Sequence, residues 1–188
     1  MNKSLAIGTV AGLIGFAATA PAAVIVSPID NQSLNAPVND LDLDGDGTTD
    51  FQVSYANASD DFLTGQTATN LVAGDTQVRV YSFNDPIAAT DPTGQSISIT
   101  NLVGAGECYV GVNFLHGELQ HVAWLRFNYP TATREEGRLV AAAWQDVAGD
   151  PIRAGEVPEP AGLLLCLSGA AAWSTGRRWR TRHATGTR

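Results

Sequence analysis

Alternation of apolar and polar residues organises the middle of this chain. Phe51, Val53 and Tyr55 alternate with Gln52, Ser54 and Ala56; Val78 and Val80 alternate with Gln77, Arg79 and Tyr81; Ile97 and Ile99 alternate with Ser96, Ser98 and Thr100. Successive side chains of an extended strand point to opposite faces, so each run predicts a strand with one face turned to a core. Further on, Val110, Val112 and Phe114 share a face, and Ala123, Leu125 and Phe127 share one opposite Val122, Trp124 and Arg126. A hairpin is predicted between these two runs, turning at His116-Gly117-Glu118, where Gly117 is able to take a positive φ. Leu139 to Trp144 supplies a last strand, its pattern diluted by three consecutive alanines. Clusters of Gly, Asn, Asp, Pro and Thr at 57–61, 84–94 and 128–137 predict the connections. No stretch sustains a helical period, which leads to an all-β expectation: an antiparallel β-sandwich or jelly-roll-like fold.

The two ends follow other patterns. Lys3, an apolar run from Leu5 to Ala18 and the small-residue site Ala20-Pro21-Ala22 predict a secretory signal peptide over residues 1–22. Residues 23–156 then form the ectodomain. At the far end Val157-Pro158-Glu159-Pro160 is followed by an apolar segment, 161–176, and by Arg177, Arg178, Arg180 and Arg182. The prolines break regular structure, and the arginines match the cytoplasmic end of a span. Sixteen apolar-segment residues fall short of the roughly 20 that a stable crossing needs, as suits a segment held in the bilayer briefly. The order over 157–182 resembles the PEP-CTERM sorting signal, which an exosortase recognises and processes in Gram-negative envelopes. That resemblance implies an exosortase-type enzyme as partner, with Pro158, Glu159, Pro160, Arg177, Arg178 and Arg180 as the sorting residues. It also implies transient anchoring in the inner membrane with residues 183–188 as a basic cytoplasmic tail, then release to the cell surface or matrix.

Charge and cysteine content narrow the possibilities. From Val24 to Val157 there are 18 acidic residues against five Arg and no Lys, a net charge of −13. Nucleic acid and anionic lipid are excluded as partners on that ground. Cys108 is the single ectodomain cysteine, Cys166 lying in the apolar tail segment, so no disulfide forms within the domain. Cys108 sits in an apolar run without a nearby base, the setting of a packed thiol rather than a nucleophile.

One motif carries identifiable chemistry. In Asp42-Leu43-Asp44-Gly45-Asp46-Gly47-Thr48-Thr49-Asp50, carboxylates stand at loop positions one, three, five and nine and glycine at six. Such spacing lets alternate side chains and the Thr48 carbonyl converge on Ca2+ while Gly47 permits the sharp turn. Position twelve is Val53 rather than a bidentate glutamate. With Phe51 opening a strand immediately afterwards, the loop matches β-associated calcium sites in which another segment completes the shell. Asp30, Asp40, Asp60 and Asp61 are the candidates for that ligand.

A second resemblance concerns the ectodomain. Proteins bearing this C-terminal signal commonly carry an Asp-Gly-Asp-Gly turn, a Gly-Val-x-Phe strand, a His-Tyr-Gly-Trp-x-Arg strand and a closing Gly-x-Pro-Ile-x-Ala-Gly. This chain is similar, with Gly111-Val112-Asn113-Phe114, His121-Val122-Ala123-Trp124-Leu125-Arg126 and Gly149-Asp150-Pro151-Ile152-Arg153-Ala154-Gly155, Val122 and Ala123 standing where Tyr-Gly is usual. The resemblance implies an exported surface or matrix protein and brings no catalytic residues. Trp124 with Arg126 offers a stacking platform for a sugar if that strand face is open, and packing if it is closed. His116 and His121 lack the further ligands of a closed zinc site. Nucleophile-elbow, phosphate-loop and Cys–His signatures are absent from the sequence. A noncatalytic envelope or matrix protein, associated with extracellular polysaccharide, is therefore the first expectation, a carbohydrate-binding module the second and a glycan hydrolase the third.

Overall fold

The computed structural model describes residues 22–57, 60–131 and 136–158. The expected signal peptide up to residue 21 and the expected sorting segment from Glu159 onward, with its arginines, lie outside them. The all-β antiparallel expectation holds for the described residues.

The smaller sheet has four strands in the order β2 (Val38–Leu41), β3 (Phe51–Asn57), β4 (Asp60–Gly65) and β9 (Ser96–Ser98). Its inward residues Leu41, Phe51, Val53, Leu63 and Ile97 are almost fully buried. The larger sheet runs β1 (Val24–Ser33), β12 (Arg138–Gln145), β11 (Leu119–Tyr129), β10 (Gly106–His116), β5 (Leu71–Ala73) and β8 (Pro92–Gly94), with β6 (Val80–Tyr81) also on β10. Every pairing between these strands is antiparallel. Val110, Val112, Phe114, Leu125, Phe127, Leu139 and Trp144 face the smaller sheet and complete one core with it. Two antiparallel sheets around a shared apolar layer is the arrangement of a β-sandwich.

The predicted hairpin is present. β10 and β11 pair from Gly106↔Tyr129 to His116↔Leu119, leaving the two-residue loop Gly117-Glu118. Gly117 has φ +63 and Glu118 is not positive, the geometry in which glycine opens a two-residue turn. The alanine run is a strand because its neighbours are large: Ala143 pairs with Trp124 and Ala142 with Leu125, so small residues fill what space remains.

Two expectations change. Val78 and Val80 do not share a face; Val78 is buried, Val80 is 46% exposed, and Tyr81 is the residue turned inward. Nor is one face of the central strands open. Behind Val122 and Trp124 a second apolar cluster gathers Val24, Ala73, Tyr81, Ile87, Ala143, Ile152 and Ala154. Its outer wall is the short pair β7 (Pro86–Ile87) and β13 (Ile152–Arg153), registered Ile87↔Ile152. The closing Pro-Ile-x-Ala stretch is thus a plug over the back of the large sheet.

Candidate metal centre

The Asp-rich segment is the loop of the β2–β3 hairpin, closed by the pair Leu41↔Phe51. Leu41 and Leu43 have no exposure and tie the incoming arm of the loop to the core, as Phe51 does the outgoing one. The carboxylates then fold the backbone around themselves. Asp42 accepts from the N–H of Gly45 at 2.8 Å and of Gly47 at 2.9 Å, Asp44 from that of Asp46 at 3.1 Å, and Asp50 from that of Leu43 at 2.8 Å. Gly45 and Gly47 have φ of +77 and +90, conformations that side-chain-bearing residues adopt at a cost.

Oxygens of Asp42, Asp44 and Asp50 lie within 4.8 Å of one another, the single such group of His, Cys, Asp or Glu among the described residues. Asp46 does not belong to it: that residue is exposed, and its carboxylate accepts from Thr48 N–H at 2.6 Å. Thr48 is exposed as well. The spacing argument thus places four carboxylates on the loop, of which the fold brings three together.

None of the candidates for a further ligand that can be placed joins the group. Asp40 accepts from Gln52 at 2.9 Å, Asp30 is an exposed residue of β1, and Asp61 is buried opposite Tyr55, four residues farther along the β3–β4 pair. The side chain of Asp60 is outside the described residues. His116 reaches the loop instead, its Nδ1 2.6 Å from Asp44 Oδ2. This contact spans the sandwich, joining the hairpin end of the large sheet to the loop of the small one. Asn70 makes a second link, donating to Asp50 O at 2.9 Å and accepting from Leu115 N–H at 3.2 Å. Neither residue carries a local sequence signal, since each is assigned its partner only by tertiary folding.

Electrostatics differ across the triad. Asp50 is 6% exposed, and burial first, then the charges of Asp44, Asp42 and Asp46, push its pKa up to about 6 against the opposing Leu43 hydrogen bond. Burial also acts to raise Asp44, but the His116 and Asp46 hydrogen bonds and the imidazole charge together hold it below the ordinary value. A hard divalent cation bound by oxygens would relieve both the desolvation and the mutual repulsion. The donors fit calcium: all are carboxylates with lone pairs beyond those already used.

Trp124 and Arg126 are not an open sugar platform. Trp124 is 3% exposed, it meets Tyr109 in a T-shaped contact with ring centres 5.7 Å apart, and its Nε1 donates to Glu156 O at 3.0 Å. Arg126 is half-buried beside it with Nε enclosed and unpaired among the described residues. The rings of His116 and His121 are 5.7 Å apart, both against Trp144, and His121 Nδ1 donates to Gln145 O at 2.7 Å. Cys108 is 4% exposed, and burial pushes its thiol up to about 11.

Comparisons with protein-family models, with curated proteins and with solved structures find no match to this chain.

Proposed function

We propose that this chain is an exported, noncatalytic protein of the cell envelope or extracellular matrix, sorted through its C-terminal signal, and that its ectodomain holds a structural calcium ion at the Asp42–Asp50 loop. It works in association with exopolysaccharide. The convergence of Asp42, Asp44 and Asp50 within 4.8 Å carries the calcium assignment. At that separation each pair of charges repels by about 0.9 kcal/mol even at the dielectric constant of water, and the loop tolerates this with Asp50 almost enclosed. An extracellular medium with millimolar calcium suits a site of the 10⁻⁴ to 10⁻³ M class. Export and sorting are supported by the order of residues at the two termini.

Titration calorimetry with calcium tests the site. One ion per chain is expected for the wild type, near-normal binding for Asp46→Asn, and none for Asp42→Asn with Asp50→Asn. Absence of heat at 5 mM calcium would make the loop a solvated turn.

A further inference from the structure

Phe83 breaks the rule by which this domain hides its aromatic rings. It is 70% exposed, the most exposed large apolar residue among those described. A loosely attached side chain would explain that, but the turn bearing it is fixed on every side. Ser82 N–H donates to Asp85 Oδ2 at 2.8 Å and Asp85 N–H to Ser82 O at 3.1 Å. Asn84, in the left-handed region at φ +70, donates to Ala154 O at 2.8 Å, Ala154 N–H returns to Asp85 O at 2.9 Å, and Arg153 donates to Asn84 O at 3.0 Å. One side of the ring rests on bare backbone: a Cβ on Gly155 would stand 2.6 Å from Phe83 Cδ2 and 2.9 Å from the Tyr109 hydroxyl. The protein therefore holds an aromatic ring out to solvent on a rigid mount, which lowers the entropy cost of using it for binding.

Beside the ring is an open cavity of about 540 Å³, lined by Val80, Ser82, Phe83, Glu107 and Tyr109 among others. It lies where β6 parts from β10: Tyr81 and Val80 still pair with Tyr109 and Val110, whereas Glu107 and Cys108 have a strand on their β11 side only. Phe83 and Tyr109 are tilted at 52° with centres 6.4 Å apart, and Tyr109 is backed by Trp124 in a T-shaped contact. The lining thus offers two aromatic surfaces with a carboxyl, a hydroxyl and a phenol around them. A ligand matching it has an apolar face and a hydroxylated rim, and its volume falls in the range of small-molecule clefts. A purely apolar occupant would strand Glu107 and Ser82, and a polyanion would meet a domain of net charge −13.

We propose that the Phe83–Tyr109 cleft binds the hexose units of a neutral glycan, Phe83 stacking on a sugar face while Glu107 and Ser82 take its hydroxyls. This rests on the matrix reading above and gives that reading a contact point, on a different side chain from Trp124.

Affinity electrophoresis of the full-length protein through gels containing dextran, galactomannan or laminarin tests it, with polygalacturonate as the polyanion. Retardation in at least one neutral gel is expected, weakened at least tenfold by Phe83→Ala and also weakened by Glu107→Gln. Circular dichroism of both variants should match the wild type, since Phe83 is exposed and Glu107 is a surface residue. Passage through all three neutral gels without retardation, retardation that Phe83→Ala retains, or retardation by polygalacturonate alone overturns the assignment. So does a wild-type dimer that Phe83→Ala dissociates, which would give the ring to a second copy of the chain. Calcium calorimetry and C-terminal processing are read separately, so loss of the glycan site leaves the sorting and calcium readings to their own tests.

Discussion

Asp50 is the residue on which the acidic loop turns. Its pKa is raised from 3.8 to about 6, so between those values the folded state binds more protons than the unfolded chain. Stability contributed by this group is thus fully present below pH 3.8 and is lost as pH rises through about 6. Asp44 has the opposite sign, its contribution disappearing only as pH falls below the ordinary carboxylate range. In chelator, melting temperature is expected to fall as pH is taken from 4 to 7; with saturating calcium that fall should be absent, because the ion replaces the proton. Asp50→Asn should remove both the pH dependence and the calcium response while leaving the metal-free protein at pH 7 no less stable than the wild type. Thermal melts of the two proteins at three pH values with and without calcium decide this. Asp42, Asp44 and Asp50 are legible in sequence because a loop ligand set is defined by local spacing. His116, 72 residues from Asp44, is not, and Trp124 shows the same limit from the other direction. Its partners Tyr109 and Glu156 come from other segments, so a strand pattern that marks two faces does not tell which of them another layer covers.

Elements were legible in proportion to their length and to the one-sidedness of their burial. The β10–β11 hairpin could be read almost to its turn because eleven-residue strands repeat the alternation enough to be unmistakable. β1 is equally regular in length yet hidden, since Pro28 sits inside it and the register slips between Val26 and Asp30; an edge strand with a bulge tolerates both. The two- and three-residue strands are held by their partners rather than by any propensity of their own: β5 and β6 by β10, β8 by β5, and β7 by β13. Two substitutions separate the faces of the hairpin. Phe114→Ala, in the core between the sheets with no exposure, should cost about 3–5 kcal/mol in denaturant unfolding. Trp124→Ala should cost a similar amount from the opposite face, by emptying the space beneath the β7–β13 plug and leaving the Glu156 carbonyl without its donor. A change below about 1 kcal/mol at Trp124 would show that the plug lifts easily.

At the scale of the whole molecule, the acidic loop and the two sheets are coupled. The loop belongs to one sheet, while His116 and the Asn70–Leu115 contact tie it to the other, so an ion that orders the loop stabilises the assembled sandwich. For a site of about 0.1 mM affinity, 1 mM calcium adds about 1.4 kcal/mol, a rise of several degrees in melting temperature for a domain of this size. Magnesium should add less, because it gives up its waters reluctantly. Sorting has its own molecular readout. Mass spectrometry of surface-released protein should find the chain ending near Val157 to Pro160, and intact peptides ending at Arg188 in that material would count against processing.

Cys108 gives the domain a clock. Its thiol is enclosed within β10 and its pKa is pushed to about 11, so an oxidising medium finds no thiolate to cross-link while the sandwich is closed. Each opening that parts β10 from its neighbours exposes that sulfur for as long as the opening lasts. In a Cys166→Ser variant, a thiol-reactive dye added to the folded protein should therefore be consumed at the frequency of those openings, slowed by calcium and hastened by Trp124→Ala. The domain's lone cysteine records how often the sandwich comes apart.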